Sequence, residues 1–324
     1  MTELPLVSFL IISYKHSDYI DDCMKSILAQ TYPNMEILYL DDASGDGTFE
    51  KASAYKDALE RKYEKVIFIR NERNCGLVKN LNRLVQMCRG KYVKFLAADD
   101  FMLEDGIEKS VAFMEAHEEY DMMHSDTIQG DENTHYPVPV ETAEGPLSKT
   151  GTGTIVTKEK IFDLLYEEDF ISAPSVLMRR DVYDRLGLYD EEIGIEDWEY
   201  YLRVAKDGNI GYLDDRTVMY RFLPSSLSHS ASPQRRMNMK KSELQILEKY
   251  KDDAQNSHER MERSLNEAVQ DAFHIDMKDY LAYIHAYAKR NDITLSFRNR
   301  FMRVLYYIRI IKIGDYFISL FKRK

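Results

Sequence analysis

From Leu6 to Thr127, short apolar runs alternate with longer stretches whose apolar residues recur at helical spacing. Leu6–Ser13, Met35–Leu40, Val66–Ile69, Tyr92–Leu96 and Asp121–Thr127 are predicted as strands. Between the first two, Tyr19–Gln30 sets Ile20, Met24, Ile27 and Leu28 on one face of a helix. Further helices are predicted from the loop ending at Thr48 to about Tyr63, from Gly76 to Cys88 and from Glu104 to Glu118. Strands alternating with such helices specify βαβ units, hence an α/β protein with a doubly wound, mainly parallel sheet. Runs that are apolar throughout fit strands covered on both faces.

The pattern changes after Thr127. Asp131–Lys149 has Pro137, Pro139, Gly145 and Pro146 and little periodicity, as in a surface excursion covering a site. Thr150–Thr154 is glycine-rich but lacks the flanking strand or Lys-Ser/Thr of a phosphate loop, so it reads as a turn. Ile155–Glu168 looks helical, Ile171–Arg180 extended with a break at Pro174, and Asp181–Leu186 a short helix stopped by Gly187. Glu196 and Asp197 open a capped helix that ends before Gly208. Ile210–Phe222 reads as two short β segments. From Ser232 the composition shifts, and Met237–Ala288 is charged and helical. Two domains follow, residues 1–231 and a helical C-terminal region, 232–324. The last stretch, 298–324, is basic and aromatic-rich; it fits docking to an anionic membrane surface or a protein, or a helix packed on its own domain.

The net charge of −11 argues against a nucleic-acid partner. Three cysteines without CxxC spacing imply neither a disulfide framework nor a zinc site. No signal peptide precedes Leu6–Ile12, and no apolar run is long enough to span a bilayer. The expectation is a cytoplasmic protein, with the tail available to the inner face of the cytoplasmic membrane.

Three acidic pairs carry the chemistry: Asp41-Asp42, Asp99-Asp100 and Glu196-Asp197. The first two end predicted neighbouring parallel strands, where an open α/β sheet holds its ligand. Hard oxygen donors there suit Mg²⁺ or Mn²⁺ on a phosphorylated substrate. The competing reading of Asp99-Asp100 is a solvated helix cap. The third pair could supply a general base. His229 could reach a metal or phosphate, Arg221 a diphosphate, and Lys79 and Asn80 could flank a nucleotide; each could equally be a solvated surface residue. His124 and Asp126 read as an acceptor-facing pair or as packed residues, and Trp198 as core.

The chain resembles family 2 glycosyltransferases with the GT-A fold. The matching stretches are Val7–Tyr14, Ser26–Pro33, Glu36–Thr48, Asn74–Asn80, Gly90–Asp100 and Glu196–Arg203. The resemblance implies that Ser13 and Asp42, with Tyr14 nearby, contact the uracil and ribose of a UDP-sugar, and that Asp99 lies near ribose and phosphates. It implies Asp100 as ligand of Mn²⁺ or Mg²⁺, with His229 as a second candidate, and Asp197 as the base, with Glu196 its rival. Ala97 stands where the family often has Asp, so metal binding leans on Asp100 with Asp99. The implied reaction is inverting transfer to a hydroxyl of a glycan or lipid-linked glycan, as in bacterial surface polysaccharide synthesis. The alternative is a non-catalytic sugar-nucleotide-binding scaffold. A nucleotidylyltransferase is disfavoured, because Ser13–Asp18 has no glycine.

Overall fold

The computed structural model describes residues 4–138, 158–223, 232–274 and 278–296. The chain divides into two compact units, Met1–Glu192 with Glu196–His229, and Ile193–Ile195 with Ser230–Lys324. The expectations for Thr150–Thr154, His229 and the 298–324 tail, and most of that for Asp131–Lys149, fall outside the described residues.

The first unit is built on one eight-stranded sheet. Its N-terminal half is β1 (Val7–Ser13), α1 (Ile20–Ala29), β2 (Met35–Asp41), α2 (Thr48–Ser53), α3 (Lys56–Lys62), β3 (Lys65–Arg70), α4 (Leu77–Val85) and β4 (Tyr92–Ala97). Then come β5 (Phe101–Met102), α5 (Gly106–Ala116), β6 (Met122–Gly130), α6 (Lys158–Glu167), a 3-10 turn (Ala173–Ser175), β7 (Leu177–Arg179), α7 (Asp181–Leu186), α8 (Glu196–Asp207) and β8 (Ile210–Arg221). The strand order is β3-β2-β1-β4-β7-β6-β8-β5. The pairs β1–β2, β2–β3, β1–β4 and β6–β8 are parallel. Every residue of β1 and β2 is buried, as their unbroken apolar runs require. One large core joins Phe9, Ile11, Ile37 and Tyr39 to Ile20, Met24 and Ile27 of α1 and to Ile107 and Met114 of α5.

Three features depart from the sequence expectation. First, β7 is a three-residue strand inserted antiparallel between β4 and β6, too short to leave a periodic signal. Second, the helix expected up to Tyr63 is two helices, separated at Ala54 and Tyr55. Third, Ile210–Arg221 is a single strand. It looks interrupted in the sequence because Asp214 and Asp215 are polar. They lie in a bulge: Ser125 pairs with Leu213, while Asp126 pairs with Arg216.

The second unit contains α9 (Pro233–Lys249), α10 (Ser257–His274) and α11 (Lys278–Arg290), with α10 packed on both others. Leu244 and Leu247, Leu265 and Val269, and Leu281 and Ile284 are among its buried apolar residues. Among the described residues, no helix is long and apolar enough to cross a membrane.

Candidate active site

β1 is flanked by β2 on one side and β4 on the other, so the winding direction of the sheet reverses between β1 and β4. A crevice at the carboxyl ends of such strands is where open α/β sheets take ligands. Ser13 pairs with Asp41 at the strand ends, Asp42 N–H donates to the Ser13 carbonyl (2.9 Å), and Ala98 N–H to that of Ile12 (3.0 Å). The acids after β2 and β4 therefore leave the same end of the sheet, but not from neighbouring strands as the sequence suggested, because β1 lies between β2 and β4.

The loop after β1 turns through Lys15, at φ 62°. Its amides are taken up by the loop after β2: Lys15 N–H donates to Ser44 Oγ (2.9 Å), His16 N–H to Thr48 Oγ1 (3.0 Å) and Ser17 N–H to Asp46 Oδ2 (3.3 Å). His16 is thereby held beside Asp99, with Nδ1 3.8 Å from Oδ1. That ring nitrogen is buried and has no hydrogen-bond partner.

Asp41 and Asp42 are both saturated with donors. Asp41 accepts from Ser13 Oγ (2.9 Å), from Ser44 N–H (3.0 Å) and from Ser44 Oγ. Asp42 accepts from Asn71 Nδ2 (2.8 Å), Cys75 N–H (2.8 Å) and Gly76 N–H (3.0 Å). Gly76 presents its amide at φ 87°, a left-handed conformation that glycine adopts without strain. Burial pushes the Asp42 carboxyl up, but these donors outweigh it and hold the group below its ordinary 3.8.

Ser13 is fully buried, and its hydroxyl lies between Tyr39 Oη (2.8 Å) and Asp41, so its side chain braces Asp41 rather than facing the crevice. Tyr14 is exposed, with the Lys15 ammonium 5.2 Å from its ring centroid. Lys79 is exposed in the first turn of α4. Asn80 is buried and accepts from Asn71 Nδ2 (2.9 Å), within the network that holds Asp42.

Asp99 and Asp100 separate sharply. Asp100 is 2% exposed, accepts the Arg221 N–H (2.8 Å), and is pushed well above the carboxylate range by burial and by Asp99. Asp99 retains an accessible carboxylate, its side chain 13% exposed. Asp99 is the more accessible of the two; Asp100, which the resemblance implies as the metal ligand, is the more enclosed. Arg221 is fully buried. Its guanidinium donates to the Asp99 carbonyl, the Thr134 carbonyl (2.6 Å) and Asp22 Oδ2 (3.1 Å), and stacks over the Tyr19 ring. It is not a surface charge: its backbone N–H and guanidinium hold the loop that carries the acid pair. His124 is buried, its ring beside Tyr212 and Phe170, and burial pushes its pKa down to about 4. It is a packed residue.

The third acidic pair has a different setting. Glu196 and Asp197, at the N-terminus of α8, line a small pocket with Leu81, Val93, Phe95, Met178 and Tyr201. Asp197 Oδ1 accepts the Trp198 N–H (2.8 Å); Trp198 itself is core, its indole donating to the Leu165 carbonyl (2.6 Å). Burial raises Asp197. Burial, then the charge of Asp197, raises Glu196 to about 8. A third acid, Asp169, stands two residues after α6, exposed at the surface, with Asp197 the charge that acts on it most. Its isolated place after a predicted helix gave no signal in the sequence. Phe95 of the pocket lies on the strand that leads to Asp99 four residues later, at most ~14 Å of extended chain.

Among the described residues, no three His, Cys, Asp or Glu side chains are grouped to hold a metal by themselves. A hard cation that shares a diphosphate needs only one or two protein donors, however. The accessible Asp99 carboxylate and the unpartnered His16 Nδ1 fit that requirement.

This sheet, with acids at its strand ends, is the GT-A fold of glycosyltransferases. It superposes on Staphylococcus aureus TarS residues 1–349 in complex with UDP-GlcNAc with a TM-score of 0.61, at 18% identity, covering 96% of this chain and 89% of that one. The mannosyltransferase PcManGT of Pyrobaculum calidifontis, in complex with GDP-Man and Mn²⁺, gives a TM-score of 0.56 at 13% identity, over 97% and 87%. The chain belongs to glycosyl transferase family 2, whose model matches residues 8–187. An uncharacterised glycosyltransferase of Methanocaldococcus jannaschii is 26% identical over 67% of this chain and 71% of its own length. The putative teichuronic acid biosynthesis glycosyltransferase TuaG of Bacillus subtilis is 37% identical over 34% of this chain and 42% of its own. The UDP-Glc:alpha-D-GlcNAc-diphosphoundecaprenol beta-1,3-glucosyltransferase WfaP of Escherichia coli is 33% identical over 35% and 42%. Matches of that extent cover less than half of the latter two relatives.

Proposed function

We propose that this glycosyltransferase is inverting and metal-assisted, and moves a sugar from a UDP-sugar to a hydroxyl of a glycan or lipid-linked glycan in surface polysaccharide synthesis. The catalytic domain is residues 1–231. The observation that carries the reading is the division of labour among the acids: Asp41, Asp42 and Asp100 are held by donors, whereas Asp197 accepts only the Trp198 N–H among the described residues and sits in a largely apolar pocket. Names of the relatives TuaG and WfaP support the polysaccharide context, and the UDP-GlcNAc complex of TarS supports the donor class.

In this reading the nucleotide lies over the loops bearing Tyr14, Asp42 and Lys79. Asp42 shapes the loop 71–76 that walls the crevice, and Asp99 faces the diphosphate. Mn²⁺ or Mg²⁺, when bound, neutralises charge on the leaving diphosphate. The acceptor oxygen attacks the anomeric carbon, Asp197 takes its proton, and the sugar–phosphate C–O bond breaks with both electrons going to the nucleoside diphosphate. Asp197 is preferred over Glu196 because its carboxyl accepts the Trp198 N–H, a hydrogen bond that favours the ionised form a base needs. The basic tail remains a candidate contact to an anionic membrane surface.

The test is a panel of nucleotide-sugars with Mn²⁺, followed by nucleotide release and by binding calorimetry. UDP release with at least one UDP-sugar is expected. Binding without turnover on any acceptor would identify a scaffold, and absence of all nucleotide binding would overturn the reading.

A further inference from the structure

We infer that His16 is a protein ligand of the divalent cation, paired with Asp99, and that this nitrogen biases the site toward Mn²⁺ over Mg²⁺. The inference rests on the diphosphate-binding reading above, but concerns a residue that the acidic motifs do not include.

Three observations carry it. The His16 ring nitrogen is buried, without a hydrogen-bond partner, and aimed at the Asp99 carboxylate. The separation of 3.8 Å is too long for a hydrogen bond. It is short enough for one cation, since two donors each about 2.1 Å from a metal span at most ~4.2 Å. Finally, the backbone that carries the ring is fixed. His16 N–H is tied to Thr48 Oγ1, and its carbonyl accepts the N–H groups of Tyr19 (3.0 Å) and Ile20 (2.9 Å) at the start of α1.

Among the described residues, the surroundings leave this pair as the available donors. Asp46, the nearest acid in the facing loop, is occupied by Thr48 and Ser17. Asp100 is turned toward Arg221. The remaining coordination positions would fall to diphosphate oxygens and water, the usual arrangement for a cation shared with a nucleotide. Mg²⁺ is held by oxygen and sheds its water reluctantly. A mixed nitrogen–oxygen set favours the later first-row ions, so replacing a carboxylate by imidazole shifts selectivity toward Mn²⁺ and Co²⁺. This accounts for a working cation site in a chain that carries Ala97 where the family often carries an acid.

The experiment is Mn²⁺ titration of the full chain with UDP, read by the loss of free-ion EPR signal, with pulsed EPR of the bound ion. The wild type is expected to show nitrogen hyperfine coupling from one imidazole. In His16→Gln that coupling should vanish, and Mn²⁺ affinity should fall about tenfold or more while Mg²⁺ affinity changes less. UDP binding in EDTA, measured by calorimetry, should be the same in both. Bound Mn²⁺ without nitrogen coupling in the wild type overturns the inference and leaves the glycosyltransferase reading standing. Nitrogen coupling that persists in His16→Gln assigns the ligand to another histidine and also overturns it. Failure of UDP to bind with or without metal overturns both. The wild-type spectrum alone is decisive should the variant not fold.

Discussion

The two acidic regions of the catalytic unit use the same side chains to opposite ends. At the strand ends, Asp41 and Asp42 are surrounded by hydroxyl, amide and backbone donors, and the Asp42 pKa is depressed. At the start of α8, Glu196 and Asp197 face aliphatic and aromatic walls, and both are raised. A carboxylate in the first setting is a fixed anion that shapes loops. In the second it has a poorly solvated charge and gains by taking a proton. Donors outweigh burial at Asp42 and do not at Asp197, so the two carboxyls shift in opposite directions.

The strongest challenge to this contrast is Asp197→Asn. It removes the base while retaining shape, so kcat should fall about 10²–10⁴-fold, with UDP affinity unchanged. Rates of UDP release beside calorimetric UDP binding check it. A loss of binding equal to the loss of rate would place Asp197 among the structural acids instead. The reciprocal challenge is Asp42→Ala. It strands the amides of Cys75 and Gly76 and the Asn71 side chain, and should cost about 2–3 kcal/mol of unfolding free energy. The sign of its pH dependence follows from the depressed pKa. The stability that Asp42 contributes is present above its ordinary value of 3.8 and is lost as the pH falls through the lower folded-state value. Denaturant melts of both proteins should therefore differ most near neutrality and converge in acid.

Much of the strand-end region was legible because its signals are local. An apolar run ending in Asp-Asp announces a buried strand and its exit, and β1, β2 and β4 lie where their runs predicted. What sequence spacing could not convey is the direction of each carboxylate. Asp99 and Asp100 are neighbours, yet one is the more accessible and the other is held by Arg221, 121 residues later. His16 gains its meaning only from an approach to Asp99 across two loops. Asp169 comes near Asp197 only through the fold. Long-range packing sets all three, and the short β7 and the bulge in β8 likewise leave little periodicity.

The finest distinction lies within the α8 pair. Glu196 is raised to about 8 partly by the charge of Asp197, so near pH 7 it is mostly protonated. A base must be ionised, and rate therefore rises with pH through the pKa of whichever acid serves. Were Glu196 the base, kcat/KM would climb until about pH 8, and Glu196→Gln would abolish turnover. With Asp197 as base, the variant keeps turnover within about tenfold of wild type, a loss smaller than that of a general base. The acid limb of its profile persists, because burial is the leading cause of the Asp197 shift. Stability supplies an independent check. A raised folded-state pKa means that the favourable contribution of Glu196 is present at low pH and is lost as the pH rises through about 8. The Gln variant has no such loss, so the Tm of wild type should fall relative to that of Glu196→Gln between acid pH and pH 8. A pH–rate profile and parallel melts of the two proteins measure both effects, and a variant without turnover would transfer the role of base from Asp197 to Glu196.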